Sequence, residues 1–318
     1  MEPSTMQHNI SLQHPFSGNA DPISIDVARL LQASIAPNTA KAYGNALRRL
    51  FKHLDGEVLT DATLAGYLAH LFTRGLAPAT VSIVVQAVRF WEKLEHRLST
   101  SVGSLTTQTL AGIRRKGRNR GRGQVKGLNR ETVNIMVQNA VGANTLGGLR
   151  DAVLFRVMSD ALLRIGEAVA IDCEHVTTEA DGSGRLMLLQ SKTDQEGIGA
   201  SLFLTARTVD MIRLLQKEAD YTTGPLFRRM LKNDRMSDGR LTVDGARLVI
   251  KAAAELVGIK GVSGHSLRIG TAQELAQRGA TLVELQNAGR WTDTQMPAHY
   301  TREQAAGRGA VARLMGID

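Results

Sequence analysis

Along the first third of the chain, apolar positions recur at helical spacing. Tyr43, Leu47, Leu50, Phe51 and Leu54 fall at i, i+4, i+7, i+8 and i+11, one face of a helix, and Asn38 is the predicted N-cap. Ile25, Ala28, Leu31 and Ile35 predict a short helix over 24–36 before it. Thr60 and Asp61 cap a third helix that runs to about Thr73 and stops near Gly75. Pro78, a first-turn proline, opens a fourth, with Val81, Val84, Val85, Val88 and Trp91 on its buried face. A last short helix covers about Thr107 to Arg115. No stretch here reads as a strand, so the pattern predicts an all-α unit.

Past Asn129 the pattern mixes. Helices are predicted over 129–140 and 145–163, the second apolar enough to be central in a core. Ile171 to Thr178, Arg185 to Gln190 and Ile198 to Leu204 read as strands, the last two as a β-hairpin around a mobile tip that starts at Lys192. Thr205 caps a helix to about Ala219. Arg228, Arg229, Lys232, Arg235 and Arg240 read as a basic loop, and Thr242 to Val257 as an amphipathic helix. Glu303 to Asp318 forms a final helix too short to be stable without a packing partner. The whole is mainly α with a small β-sheet: an all-α N-terminal domain followed by an α+β domain.

Composition adds exclusions. Hydrophobic residues make up 43% and charged residues 22%, ordinary for a globular protein. One cysteine, Cys173, allows no intrachain disulfide, so a reducing, cytoplasmic setting is expected. It sits between acids that oppose a thiolate, and reads as a small buried strand residue. No apolar run reaches the roughly 18–20 residues of a membrane span. Residues 1–22 lack a secretory pattern and read as a polar, disordered arm. No metal-type Cys/His cluster or phosphate-binding glycine loop is present, so no cofactor is expected.

Charge points to a partner. The net charge is +9 and uneven: residues 1–127 hold 16 Lys and Arg against 8 acids, and 128–318 hold 23 against 22. Nucleic acid is the first candidate, ahead of an anionic membrane. Arg114, Arg115, Lys116, Arg118, Arg120, Arg122 and Lys126 lie in a stretch with four glycines and no acid, which reads as a basic linker suited to phosphate contact. Lys41, Arg48 and Lys52 form a basic helical stripe, and Arg247 and Lys251 stand four apart on a later helix. For these five, a solvated face is the competing reading. Arg228, Arg229 and Lys232 complete the candidate DNA contacts.

The last fifth carries candidate chemistry. His265 and Arg268 are three apart, Trp291 follows in Gly289-Arg290-Trp291, and Tyr300 comes nine residues later. A fixed cation, a proton carrier that titrates near neutrality, an indole donor and a phenol form a kit for attack on a phosphodiester. Upstream, Arg164 has Glu167 at i+3, able to hold its guanidinium, unless the two are only a surface ion pair.

Leu163-Arg164-Ile165-Gly166-Glu167, Lys192 on its hairpin, His265-Ser266-Leu267-Arg268, Gly289-Arg290-Trp291 and Tyr300 together resemble the tyrosine recombinases, the phage-integrase family. Trp291 and the run Ala288 to Thr292 look like its Cre-type subgroup. The resemblance implies a SAM-like core-binding domain over 23–115, a linker over 116–128 and a catalytic domain over 129–318, closing as a C-shaped clamp around double-stranded DNA. It implies that Tyr300 attacks a phosphate to form a 3′-phosphotyrosyl link, that Arg164 and Arg268 clamp the non-bridging oxygens, that His265 and Trp291 donate hydrogen bonds, that Lys192 protonates the leaving 5′ oxygen, and that Glu167 supports the set. It further implies a homotetramer on two inverted-repeat sites, joined by exchange of a helix over 303–315, without metal or ATP. Physical chemistry agrees with these roles: charge builds on the phosphoryl oxygens, and preorganised arginines stabilise it by several kcal/mol. A phenol needs its proton removed, and His265 is the titrating group in range. Two other readings remain, a type IB topoisomerase-like relaxing enzyme and a non-catalytic DNA-binding protein on the same fold.

Overall fold

The computed structural model describes residues 34–95, 99–121, 125–189 and 199–306, with side chains to Arg302 in the last helix. The arm over 1–22, nearly all of the helix expected over 24–36, Arg122, Lys192 and the tail beyond 306 lie outside the described residues. The chain divides into two compact units, Met1–Gly123 and Gln124–Asp318.

The first unit is built from α1 (Pro37–Leu54), α2 (Asp61–Thr73), α3 (Pro78–Leu94) and α4 (Ser104–Lys116). The apolar stripes do what their spacing requires: Leu47, Leu50 and Leu54 of α1 meet Leu64 and Leu68 of α2, Val81, Val84 and Val88 of α3, and Leu110 and Ile113 of α4. α1 starts two residues earlier than predicted. Pro37 occupies the first turn and Ala36, not Asn38, is the cap residue, because a proline there has its φ preset and lacks an N–H that the helix could not use. Thr60 caps α2 as expected. Asp61 also caps another helix: its carboxylate accepts the backbone N–H groups of Gly103, Leu105 and Thr106 at 2.8–3.0 Å, satisfying the free amides that open α4.

Lys116, read as the first linker residue, is instead in the last turn of α4. Behind it Arg120 folds back, stacking 4.0 Å from the Phe72 ring and donating to the Phe72 carbonyl at 2.6 Å.

The second unit holds α5 (Arg130–Gly142), α6 (Leu146–Asp160), α7 (Ile165–Val169), strands β1 (Val176–Thr178), β2 (Gly184–Leu188) and β3 (Ala200–Leu204), α8 (Ala206–Glu218), the hairpin β4 (Arg228–Met230) and β5 (Met236–Arg240), α9 (Val243–Leu256), α10 (Ser266–Gln277), α11 (Leu282–Gly289) and α12 (Gln295–Ala306). β1, β2 and β3 pair antiparallel in that order, with Leu186 opposite Val176 and Leu202. Along β2 the residues alternate buried and exposed, the period-2 pattern of a one-faced sheet. α6 runs through the core, with Phe155 and Met158 fully buried beside Leu163, Leu186, Phe227, Ile250 and Leu267.

Three sequence expectations are corrected here. The strand predicted over 171–178 is only Val176–Thr178. Asp172 and His175 close a 3-10 turn, so Cys173 is buried in that turn rather than in a strand. Burial pushes its thiol above the ordinary range. The helix predicted to 163 ends at Asp160, because Leu162 takes a left-handed conformation at φ 47°. The basic loop over 228–240 is a β-hairpin, with Arg228 opposite Arg240 and a register shift between Arg228 and Met230.

Asp160, at the end of α6, ties these layers together. One oxygen accepts Arg130 at 3.1 Å, and the other accepts the Thr205 amide and the hydroxyls of Thr205 and Thr208 at 2.6–3.0 Å. The Thr205 hydroxyl therefore serves Asp160 rather than capping α8. Leu128 is pinned to α10, its amide donating to the Ser266 carbonyl at 2.9 Å. Gly270 makes that approach possible, since any Cβ there would run into the Leu128 backbone.

Candidate active site

The abrupt end of α6 creates the site. With Leu162 left-handed, the chain turns and delivers Arg164 to the start of α7. Glu167, one turn on, takes the Arg164 amide on Oε2 at 2.9 Å and the Arg164 guanidinium on Oε1 at 2.6 Å. This is no surface ion pair: the Glu167 side chain is 6% exposed and that of Arg164 19%. Burial alone would raise the Glu167 carboxyl. The bonds from the Arg164 backbone and guanidinium, with the charges of Arg290 and Arg164, outweigh it and hold the group below its ordinary value.

α10 brings Arg268 in from the other side. It is buried, donating Nη1 to the Leu162 carbonyl at 2.5 Å and Nη2 to the Gly289 carbonyl. Its guanidinium carbon lies 4.3 Å from the Trp291 ring centre, a cation–π arrangement. Desolvation, and next the neighbouring charges of Arg164 and Arg290, pull its pKa down to about 9, against Glu167 and Tyr300. It stays protonated at neutral pH. Trp291 is packed with Leu162, Ala272, Leu275, Ala288 and Tyr300, its ring 5.9 Å from that of Tyr300. Tyr300 is half-buried on α12, and its carbonyl accepts Gln273 of α10 at 3.1 Å, which fixes that helix on α10. His265 is exposed at the head of α10, three residues before Arg268.

Arg164, Glu167, Arg268, Trp291 and Tyr300 thus meet in one connected set, with His265 on the same helix as Arg268. Lys192 lies outside the described residues. A sixth member had no predicted role. Arg290 donates Nη2 to Glu167 Oε2 at 3.0 Å and to the Leu162 carbonyl at 3.2 Å, and Nη1 to the Ala161 carbonyl at 3.1 Å. The only sequence signal for it is a long cation directly after a helix-ending glycine, where the backbone often turns left-handed.

Gly289 is set by space: a Cβ would overlap the Trp291 ring. Gly289→Ala is expected to displace the indole and cost about 1–3 kcal/mol, the usual penalty of overpacking. Urea unfolding checks it, with a lowered midpoint and an unchanged slope.

The candidate DNA contacts sort by availability. Lys41, Arg48 and Lys52 are exposed on α1, and Arg114, Arg115 and Lys116 at the end of α4, with Arg118 just beyond. Arg229 and Lys232 are exposed at the β4–β5 hairpin. Arg247 and Lys251 are exposed but paired with Asp244 at 2.6 Å and Glu255 at 3.7 Å. Arg228 departs from the expectation. Its side chain is 13% exposed, stacks on Tyr221, pairs with Asp238 and bonds the Thr223 carbonyl, so it braces the hairpin rather than facing outward. Among the described residues no helix is long and apolar enough to cross a membrane.

Comparison with known proteins agrees with this geometry. The family model described as "Phage integrase family" matches residues 128–306. The chain is 23% identical over 266 residues to the recombinase Cre of Escherichia phage P1, covering 78% of each chain. It is 28% identical over 286 residues to the tyrosine recombinase XerD of Caulobacter vibrioides, covering 87% of this chain and 90% of that one. Among solved structures, the XerH site-specific recombinase bound to palindromic difH substrate superposes with a TM-score of 0.67 at 15% identity, over 92% of this chain and 84% of that one. A lambda integrase dimer on a COC′ core site gives 0.59 at 12% identity, over 87% and 93%. Two arginines brought together beside a tyrosine, on a chain matched by that family model over more than half its length, identify the protein as a member of the phage integrase family, a tyrosine recombinase.

Proposed function

We propose that this protein is a site-specific DNA recombinase of the Cre-like branch that cuts and rejoins duplex DNA through a 3′-phosphotyrosyl intermediate. The observation that carries this reading is the convergence of Arg164 and Arg268, on separate elements, at one buried network beside Tyr300. In this reading the Tyr300 phenol oxygen attacks the scissile phosphorus. The P–O5′ bond breaks, and the free 5′ oxygen takes its proton from Lys192. His265 receives the phenol proton. Arg164 and Arg268 hold the non-bridging oxygens, where negative charge develops, and Trp291 adds a donor. Glu167 orients Arg164. The phosphotyrosyl bond conserves the energy of the broken diester, so religation to another 5′-hydroxyl needs no ATP, and the arginines supply the charge that would otherwise call for a metal. Two rounds of exchange on paired duplexes pass through a Holliday junction. The protein binds a duplex bearing an inverted-repeat site, and four copies assemble by exchanging residues 303–315.

Lys41, Arg48, Lys52 and the α4 cations supply phosphate contacts. Binding through about 6–10 phosphates is expected to lose roughly 10³–10⁵-fold in affinity between 50 and 200 mM salt. Lys52→Ala should lower the slope of log affinity against log salt by about 0.9, equally on all sequences. Fluorescence anisotropy over a salt series measures both.

The test of function searches the DNA flanking this gene for an inverted repeat around a short spacer and places two copies of that repeat on one plasmid. Exchange between the copies, absent on a plasmid with one copy, is the expected result. Relaxation of any supercoiled plasmid without exchange would favour a topoisomerase-like enzyme. Binding without cleavage would favour the non-catalytic reading.

A further inference from the structure

Arg290 has no part in the reaction just described, yet local backbone needs do not explain it. It follows the last residue of α11 with φ 54° and ψ 49°, the left-handed region. Glycine reaches that region freely, and residues with a Cβ do so at a cost. A position chosen only to end the helix would be glycine. The arginine found here instead runs back under the site and is 10% exposed.

Its bonds join two parts of the site. Nη2 bridges Glu167 Oε2 and the Leu162 carbonyl. Glu167 Oε1 holds Arg164, and the Leu162 carbonyl also receives Arg268. Arg164 and Arg268 sit on different helices, and this chain of contacts connects them. We propose that Arg290 is a positioning residue that, through Glu167 and the Leu162 carbonyl, sets the separation of the Arg164 and Arg268 guanidinium groups. The proposal rests on the recombinase reading above.

The electrostatic logic is direct. Glu167 shares its two oxygens between two arginines. Without Arg290 the buried carboxylate keeps Arg164 as its one ion-pair partner among the described residues and draws it inward, away from a phosphate. Arg164, Arg268, Arg290 and Glu167 together carry two net positive charges, and loss of Arg290 leaves one. Arginine suits the place because its planar fork serves a carboxylate and three carbonyls from separate nitrogens, where an ammonium has three donors on a single nitrogen.

The test compares Arg290→Gly, Arg290→Lys, Glu167→Gln and the double variant Arg290→Gly with Glu167→Gln. The readouts are thermal midpoint, DNA affinity, and the rate of covalent adduct formation at saturating nicked cognate DNA. For Arg290→Gly, a midpoint within a few degrees of wild type is expected, because glycine relieves the left-handed backbone. Affinity should change less than about twofold, while the adduct rate falls on the order of 10²-fold, the scale of a small misplacement at a reacting centre. Arg290→Lys should recover part of that rate. In the Glu167→Gln background, Arg290→Gly should add less than about threefold. Wild-type adduct rates in Arg290→Gly, multiplicative effects in the double variant, or a loss confined to affinity would each overturn the proposal while leaving the recombinase reading intact. Failure of the wild-type protein to form an adduct would overturn both.

Discussion

Tyr300→Phe is expected to abolish the covalent protein–DNA adduct while leaving the fold and DNA affinity unchanged. The substitution removes one hydroxyl from a half-buried ring whose packing against Trp291, Leu162 and Leu275 is otherwise retained. No other tyrosine can take its place. The chain has four. Tyr43 and Tyr67 belong to the core of the first unit. Tyr221 is buried, donates to the Leu226 carbonyl at 2.6 Å, and has its pKa pushed up chiefly by desolvation. A phenol that resists ionisation and already donates its proton within the protein is a poor nucleophile. Adduct formation on a nicked cognate site, resolved on a denaturing gel, checks this, with circular dichroism and anisotropy as controls for fold and binding.

Arg268→Lys is expected to reduce cleavage by about 10²–10³-fold, the scale for losing one preorganised donor at a developing oxyanion. The positive charge survives, so attraction to the duplex changes little. What is lost is geometry. Arg268 spends two N–H groups on the Leu162 and Gly289 carbonyls and places its guanidinium carbon 4.3 Å from the Trp291 ring centre. Lysine offers a mobile ammonium with no plane to stack and no fork to hold two carbonyls. Single-turnover kinetics at saturating DNA should show the loss in the rate constant, with the half-saturating DNA concentration nearly unmoved. A loss confined to affinity would contradict the phosphate-clamping role and make Arg268 a binding contact.

Much of this was legible because it is local. The stripe Leu47, Leu50, Leu54 and the valines of α3 are set by helical period, and the structure buries them as their spacing requires. Arg164 with Glu167, and His265 with Arg268, were visible as pairs three apart. What was not legible depends on distant partners. Apolar residues run on to Leu163, yet α6 stops at Asp160, where Asp160 answers to Arg130, Thr205 and Thr208 and the Leu162 carbonyl to two arginines. Ile171 to Thr178 has strand composition, but Asp172 pairs with Arg240, 68 residues away, and the segment turns. Arg228 reads in the sequence as one of several loop cations, whereas Tyr221 and Asp238 hold it in the structure. Arg290 was in plain view beside Trp291, but its meaning lies in a carboxylate 123 residues upstream, which no local pattern encodes.

The most direct test of the central claim is to map the covalent adduct. The protein is incubated with a nicked cognate duplex, the trapped complex digested with protease and nuclease, and the nucleotide-bearing peptide sequenced by mass spectrometry. With four tyrosines in the chain, the outcome is discrete. The expected result is a single modified peptide, carrying a phosphotyrosyl-linked nucleotide on Tyr300. A nucleotide on Tyr43, Tyr67, Tyr221 or any serine, or cleavage with no protein-linked nucleotide, would contradict it.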